Sequence, residues 1–452
     1  MGGLELLILG GSIVTMGPMG VIRDGAVVVE GGRIVDVGKA SELVGRYPRY
    51  ERLDARNCVV IPGLVNAHQH IAMGLLRGYA DDYPLKVWLE EWIWPLESKL
   101  TGRDIYVGAL LTALESLMGG VTTINTMYHY ADDWNEARAL ADAGLRGVVG
   151  HVCFSWRKDE DLSAIQSLAQ RWHGGAGGRI RVSVDPHAPY TVDPEYMKEL
   201  RAVADELNER YEGEAPITLH IHLAETADEA KRVEEAFGVR LEGGVVEYLD
   251  GLGVLGSDVV AAHCVHLTEG DIKALASRGV KVVHNPVSNL KLASGISPVP
   301  KLLEAGVTVA LGTDGPCSNN SADMFETMKV AALLHKGVSG DPTVLSASQV
   351  LRMATIDGAR ALLWEDAIGS IEVGKRADIA ILNFRKPHLT PLYHEESHLV
   401  YAAKPSDVET VIVDGEIVME NREVKTVNAE EVMEMARKAK EDILSRLERE
   451  RN

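Results

Sequence analysis

Short apolar runs that end in polar residues recur through the middle of the chain, and segments with helical apolar spacing lie between them. Eight such runs read "GLVNAH", "VTTINTM", "RGVVGHVCF", "IRVSVDPH", "ITLHIHL", "VVAAHCVHL", "KVVHNP" and "VTVALGTD". The helical segments include "DIYVGALLTALESLMGG", "DDWNEARALADAGL", "PEYMKELRAVADELNER" and "EGDIKALASRG". The pattern predicts strands that alternate with helices.

Strands that are apolar on both faces and alternate with helices are typical of a parallel sheet. Eight strand-helix units are the number that a closed barrel requires. The sequence therefore predicts an α/β fold with a (β/α)8 TIM-like barrel, and an open doubly wound sheet is the alternative.

The two ends of the chain have a different pattern. Near the N-terminus "AVVVEGGRIVDVG", and near the C-terminus "ADIAILNF" and "TVIVDGEIVMENR", are rich in β-branched residues around acid-glycine steps that predict hairpins. Neither end alone offers a sufficient core, so we expect both to form one small β-sandwich domain. The predicted division is residues 1–61 with 370–428 for this domain, 62–369 for the barrel and 429–452 for a C-terminal helix.

Composition narrows the class of protein. With 452 residues, 46% of them apolar, the chain is long enough to bury a large core. Its formal charge of −20 argues against nucleic acid as a partner, because such binding depends on clustered basic residues. No apolar run approaches the twenty residues or so needed to cross a bilayer, and no secretory signal is recognisable, so we expect a cytoplasmic protein without a membrane partner. The four scattered cysteines suggest neither disulfides nor a thiolate zinc site.

Imidazoles and one carboxylate stand at the ends of the predicted strands. His68 and His70 end the first strand in "PGLVNAHQH", and alternation on a strand puts both on one face. His222 ends the fifth strand, His263 the sixth and Asp314 the eighth. Because carboxyl ends of barrel strands meet at one mouth, these side chains are expected to converge there. Such donors suit a divalent metal, with zinc first and iron(II) or manganese(II) as alternatives.

The motifs "PGLVNAHQH", "HIHLAET", "AAHCVHL", "HNPVSNLKLASG" and "LGTDGPCSNN" together resemble the metal-dependent amidohydrolase superfamily. "ADDYPLKVWLEEWIWPLESKL" and "DPHAPY" resemble its 5-methylthioadenosine/S-adenosylhomocysteine deaminase branch, which includes 5′-deoxyadenosine deaminases. The resemblance runs from about residue 5 to 425 and also implies the small β domain.

The resemblance implies which residues bind one metal ion. The implied ligands are His68, His70, His222 and Asp314, with His263 beside the ion to steer water. Relatives with two metals use a carboxylated lysine on the fourth strand. That strand here offers His187 and no lysine, so we expect a single ion.

The implied reaction is hydrolytic deamination of an adenine ring. Asp314 would accept a proton from the attacking water, and Glu225 in "HLAET" would protonate ring nitrogen 1. The products would be ammonia and the inosine analogue.

The resemblance also implies how a nucleoside is bound. Glu97 would bind the ribose 2′- and 3′-hydroxyls, a role suited to a carboxylate with two acceptor oxygens. His187 would contact the nucleoside, and Trp88 would form an apolar wall or simply pack. Ser318 would face the 5′ substituent or cap the following segment. The candidate substrates are 5′-deoxyadenosine, 5′-methylthioadenosine, S-adenosylhomocysteine and adenosine.

One feature departs from the resemblance. Members that favour S-adenosylhomocysteine use two arginines after the third strand to bind the amino-acid carboxylate, a role suited to guanidinium. The first of these positions aligns with His151, and Arg157 follows nearby. We therefore expect small or uncharged 5′ groups to be favoured.

Two other functions stay open from the sequence. One is another amidohydrolase reaction, such as deamination of guanine or a triazine, or hydrolysis of a cyclic amide. The other is a non-catalytic barrel scaffold, which the complete set of candidate ligands disfavours. The resemblance is also compatible with a homo-oligomer.

Overall fold

The computed structural model describes residues 5–451. The first five strands are β1 (Leu6–Val14), β2 (Val21–Glu30), β3 (Arg33–Lys39), β4 (Glu51–Asp54) and β5 (Cys58–Pro62). The next eight are β6 (Leu64–Gln69), β7 (Val121–Tyr128), β8 (Arg146–Cys153), β9 (Ile180–Pro186), β10 (Thr218–Leu223), β11 (Val259–His263), β12 (Lys281–His284) and β13 (Val309–Leu311). The last four are β14 (Ile379–Asn383), β15 (Val408–Val413), β16 (Glu416–Glu420) and β17 (Glu423–Val424).

Helices occupy most of the connections between these strands. Those before β10 are α1 (Ala40–Arg46), α2 (Leu85–Val87), α3 (Trp94–Glu97), α4 (Gly102–Met118), α5 (Glu136–Ala143), α6 (Lys158–Trp172), α7 (Gly175–Gly178) and α8 (Pro194–Arg210). Those after β10 are α9 (Glu229–Phe237), α10 (Val245–Gly251), α11 (Glu269–Arg278), α12 (Pro286–Lys291), α13 (Val299–Glu304), α14 (Pro316–Asn319), α15 (Met324–Ser339), α16 (Ala347–Met353), α17 (Ile356–Ala361), α18 (Glu395–Tyr401) and α19 (Ala429–Arg451). A π-helix, Trp88–Ile93, lies between α2 and α3. None of the described helices has both the length and the apolar content needed to span a membrane.

Strands β6 to β13 form a parallel sheet in chain order. The backbone N–H of Asp314 donates to the carbonyl of His68 over 3.0 Å, which joins the end of the last strand to the first and nearly closes the barrel. All residues of β6, β7, β8, β10, β11 and β13 are buried, which accounts for the continuous apolar runs in the sequence. The predicted (β/α)8 barrel is confirmed, and the open doubly wound alternative is wrong.

The two chain ends meet in a second, mixed sheet. Its order is β17-β16-β15-β14-β5-β1-β2-β3, with β4 paired to β1. The antiparallel pairing of β5 with β14, for example Val60 opposite Ile381, joins the N-terminal to the C-terminal strands. The β2–β3 turn contacts the residue before β14, although β2 and β14 are not neighbours in the strand order. At this contact the N–H of Ala377 donates to the carbonyl of Gly32 over 3.0 Å. The predicted pairing of both ends is confirmed, whereas the residue boundaries of the units stay a prediction.

Two contacts fix the barrel to its surroundings. Arg146 at the start of β8 forms two hydrogen bonds of 2.8 and 2.9 Å with Asp378, which precedes β14, and both side chains are buried. On the other side α19 buries Ile443 and Leu447 in a cluster with Trp88 of the π-helix. The segment from α2 to α3 is therefore packed between the barrel mouth and the C-terminal helix.

Candidate metal centre and active-site pocket

Four nitrogen and oxygen donors meet at the carboxyl end of the barrel. Asp314 Oδ1 lies 3.3 Å from His68 Nε2 and 3.2 Å from His70 Nε2. His222 Nε2 lies 3.1 Å from His70 Nε2. The barrel brings together residues of β6, β10 and the segment after β13, as expected from the strand-end positions.

The outer hydrogen bonds orient these rings. His70 Nδ1 lies 2.7 Å from the carbonyl of Met127, and His222 Nδ1 lies 2.8 Å from the carbonyl of His187. A carbonyl oxygen only accepts, so each Nδ1 carries the proton and each Nε2 presents a lone pair to the centre. His68 Nε2 is buried and has no hydrogen-bond partner among residues 5–451. The ligand atoms form two overlapping sets of three that lie within 4.8 Å of one another, and these are His68 with His70 and His222, and His68 with His263 and Asp314. Imidazole nitrogens with a carboxylate oxygen fit a divalent metal ion.

Asp314 is held from several sides. Its Oδ2 accepts hydrogen bonds from the hydroxyls of Ser288 at 2.6 Å and Ser318 at 3.0 Å. Although burial opposes the charged form, the adjacent imidazoles of His68, His70 and His263 hold the pKa of Asp314 well below its usual range. The left-handed backbone of Asp314, with φ of 64°, is uncommon for a residue with a Cβ and shows that its surroundings fix it.

Glu225 and His263 lie beside this centre. Glu225 Oε2 is 3.9 Å from His263 Nε2, and the Ser294 hydroxyl donates to Glu225 Oε1 over 3.4 Å. Burial raises the pKa of the Glu225 carboxyl, which favours its protonated form. His263 Nδ1 lies 2.8 Å from the side-chain oxygen of Asn289, so Nδ1 donates and Nε2 faces the pocket.

Three of the donors, His70, His222 and Asp314, line a pocket of about 660 Å³, a volume that includes its solvent-filled mouth, and His68 does not line it. Its apolar walls come from Met73, Leu85, Trp88, Leu89, Trp94, Met127, Val152, Phe154 and Leu292. The polar residues predicted from the sequence to contact substrate, Glu97, His187, Glu225 and Ser318, line it as well. A mainly apolar pocket with a few convergent polar groups is typical of a small-molecule site.

The predicted substrate contacts take distinct positions in the wall. Burial raises the pKa of Glu97, and the neighbouring Tyr128 hydroxyl opposes this shift. Burial lowers the pKa of His187 to about 3, so its ring is neutral, and its Nδ1 lies 2.9 Å from the Thr191 hydroxyl. Trp88 lines the pocket and also packs in the cluster that contains Ile443 and Leu447. Its indole N–H donates to the carbonyl of Ala80 over 2.9 Å.

Two residues near the third strand differ in their relation to the pocket. His151 is buried away from it, with Nε2 2.8 Å from Asp161 Oδ1. Arg157 reaches the pocket wall indirectly, because its Nη1 donates to Nδ1 of the lining residue His129 over 3.0 Å. The same guanidinium lies 3.3 Å from Glu160 and 3.7 Å from Asp161, so acidic partners already pair with it.

Sequence reasoning missed several residues of the site. Ser288 and Asn289 belong to the motif "HNPVSN" and hold Asp314 and His263, and His129 lines the pocket. His220 contacts His68 from behind, with Nε2 2.8 Å from His68 Nδ1. The spacing of His220 and His222 repeats the His-x-His pattern of the first strand, and this signal could have identified it.

Known proteins are similar to this chain over most of their length. A 5-methylthioadenosine/S-adenosylhomocysteine deaminase of Desulforudis audaxviator is 48% identical over 91% of this chain and 93% of its own. A 5′-deoxyadenosine deaminase of Methanosarcina barkeri is 44% identical over 98% of this chain and 99% of its own. A crystal structure of an adenosine deaminase from Xanthomonas campestris with bound zinc superposes with a TM-score of 0.91 at 38% identity, covering 98% of this chain and 99% of that one. The amidohydrolase family model matches residues 59–418, and the chain belongs to the amidohydrolase family.

Proposed function

We propose that this protein is a metal-dependent hydrolase that deaminates the adenine ring of adenosine derivatives. The observation that carries the proposal is the convergence of His68, His70, His222 and Asp314 beside the pocket that the buried acid Glu225 lines. The names of the Desulforudis and Methanosarcina relatives support the same activity. The complete donor set favours an enzyme over a non-catalytic scaffold.

We infer that these four residues hold a single divalent ion. Zinc is our first choice, because three imidazoles and a carboxylate suit it and the Xanthomonas relative has bound zinc; iron(II) and manganese(II) are the alternatives. Such an ion supplies a Lewis acid that lowers the pKa of water from about 15.7 towards about 7. No lysine on β9 is available to bridge a second ion.

The protein's own residues would then move the protons. Asp314 accepts the proton that the attacking water loses, and His263, held by Asn289, orients that water. Glu225, whose raised pKa favours the acid form, donates to ring nitrogen 1 as water adds to carbon 6. Asp314 then gives its proton to the amino group, and the carbon–nitrogen bond breaks to release ammonia. The hydroxyl proton returns to Glu225, which leaves the inosine analogue.

Glu97, which also lines the pocket, would bind the ribose hydroxyls. Replacing Glu97 with Gln should lower kcat/KM for 5′-deoxyadenosine by about 10- to 100-fold, because hydrogen bonds to a charged group contribute roughly 1.5–3 kcal/mol. A 2′,3′-dideoxy analogue should show little change, since it lacks both hydroxyls. Steady-state kinetics with both compounds checks this, and the exposed Glu91→Gln serves as the matched control. Equal losses for both compounds would remove the ribose role.

We propose that small or uncharged 5′ groups are favoured. The support is that His151 pairs with Asp161 outside the pocket, and that acidic partners already pair with Arg157. His151 is therefore held outside the pocket, and an amino-acid carboxylate would have to compete with Glu160 and Asp161 for Arg157.

Ammonia release from a panel of nucleosides tests the function as a whole. We expect kcat/KM to be higher for 5′-deoxyadenosine, 5′-methylthioadenosine or adenosine than for S-adenosylhomocysteine. A much higher value for S-adenosylhomocysteine than for all three would contradict the proposed 5′ preference. Release of ammonia only from guanine or a triazine would contradict the proposed substrate class.

Three expectations from the sequence stay predictions. They are a cytoplasmic location, the lack of a nucleic-acid or membrane partner, and compatibility with a homo-oligomer.

A further inference from the structure

A series of buried polar side chains lies behind the metal centre, away from the pocket. His68 Nδ1 lies 2.8 Å from His220 Nε2. On the far side of that ring, His220 Nδ1 lies 3.7 Å from Asp185 Oδ2 and 3.4 Å from the amide nitrogen of Asn125. All four side chains are buried, and they come from β6, β10, β9 and β7. None of them lines the pocket, so substrate does not explain them.

The direction of the hydrogen bonds in this series decides whether His68 Nε2 can bind a cation. If Asn125 donates to His220 Nδ1, then His220 Nε2 carries the proton and donates to His68 Nδ1. The remaining proton of neutral His68 then sits on Nε2, where it blocks the cation. If instead His220 Nδ1 donates to Asp185, every proton is reversed and His68 Nε2 is free.

Asp185 is available to select the second arrangement. Its two carboxylate oxygens are buried and have no hydrogen-bond partner in residues 5–451. A buried polar group without a hydrogen bond is destabilising, so donation from His220 Nδ1–H would stabilise the carboxylate. Asn125 is less dependent on His220, because its amide nitrogen already donates to the carbonyl of Ala67 over 2.9 Å. Burial raises the pKa of Asp185 and the adjacent His220 lowers it. In its charged form Asp185 is the stronger partner, since charge-assisted hydrogen bonds exceed neutral ones.

The neighbouring strand provides the space for this carboxylate. Gly150 on β8 lies against Asp185, and a Cβ at that position would come within 1.9 Å of Asp185 Oδ2. Glycine is therefore needed there for a close approach. Substitution of Gly150 would displace the carboxylate without changing its chemistry.

We propose that Asp185 and His220 are positioning residues that keep the His68 proton on Nδ1 and so leave Nε2 free for the cation. The inference rests on the proposed function, because it assumes that the centre binds a divalent ion. Partners that orient a ligating histidine typically change metal affinity by 10- to 100-fold when they are replaced.

Zinc affinity of the full-length protein tests the proposal. Protein stripped with a chelator is titrated with zinc against a competing fluorescent chelator. We expect Asp185→Asn to weaken zinc binding by about 10-fold, and Asp185→Leu and Gly150→Ala by up to about 100-fold. Thermal unfolding of each zinc-free variant shows that it is folded.

The matched control is Asp161→Asn. Asp161 is an equally buried carboxylate that pairs with a histidine, but its partner His151 does not reach the centre. We expect this variant to lose thermal stability and to keep wild-type zinc affinity. A second readout is the 15N chemical shift of His68 in zinc-free protein, identified by comparison with His68→Asn. That signal should indicate an Nδ1 proton in the wild type and an Nε2 proton in Asp185→Leu.

Two outcomes would overturn the inference alone. One is wild-type zinc affinity in Asp185→Leu, and the other is an equal loss of affinity in Asp161→Asn. In both cases a zinc-dependent wild-type deaminase would leave the proposed function intact. A wild type that binds no divalent ion would overturn both.

Discussion

Replacing Glu225 with Gln lowers kcat for 5′-deoxyadenosine by about 10²- to 10⁴-fold, the usual range for loss of a general acid or base. The side chain is buried beside His263, and burial raises its pKa, so it is placed to donate a proton. Glutamine keeps the shape and removes the transferable proton. Metal content should stay unchanged, because Glu225 is not among the four inferred ligands. Single-turnover kinetics and metal analysis of the same preparation measure both quantities.

The control for this variant is Asp228→Asn. Asp228 is an exposed carboxylate on the same loop, three residues after Glu225, and its change should leave kcat within about twofold, as for most surface substitutions. An active Glu225→Gln would remove this residue from the mechanism. A variant that also lost its metal would show that Glu225 supports the centre rather than the chemistry.

Replacing His70 with Asn should remove the bound ion and reduce ammonia release below detection. The Nε2 atom of His70 lies 3.2 Å from Asp314 Oδ1 and 3.1 Å from His222 Nε2, so it stands between two other donors. Without the ion, water returns to a pKa of about 15.7 and is a poor nucleophile at neutral pH. Elemental analysis and an ammonia assay check the two effects.

Chelation of the wild type provides the complementary test. Activity should disappear with the metal and return on addition of zinc, iron(II) or manganese(II), and the ion that restores most activity identifies the preferred metal. His173→Asn is the control, because His173 is partly buried away from the centre and contacts the carbonyl of Ala215. Full activity in metal-free protein would contradict the proposed mechanism.

The fold was largely predictable because strand and helix patterns are local. Six of the eight barrel strands are buried throughout and the other two nearly so, so their sequences are mainly apolar, and eight such runs were visible. Helix α8 begins at the predicted Pro194, where the Asp193 side chain accepts from two backbone N–H groups. A single domain from both chain ends was inferred because neither end had a sufficient core and because the family resemblance implied it. Which strands pair across the two ends, β5 with β14, was found only in the structure.

The candidate site was predictable only in part. Residues at strand ends, such as His68 and Asp314, could be found because barrel geometry brings such positions together. Asn289 and Ser288 lie on α12 and reach the site through the packing of that helix, which no spacing indicates. His151 stands where relatives that favour S-adenosylhomocysteine have a substrate-binding arginine, so the sequence indicated that this contact is lost. The structure adds the partner of His151, which is Asp161, outside the pocket.

The sequence by itself determined the strand-helix order, the residue types at the strand ends and hence the class of chemistry. These depend on side-chain periodicity, which is encoded over a few residues. Only the tertiary structure decided which nitrogen of each imidazole faces the centre and which buried groups stand behind it. Hydrogen-bond direction depends on partners from four separate strands, and only barrel closure brings those partners within reach of one another.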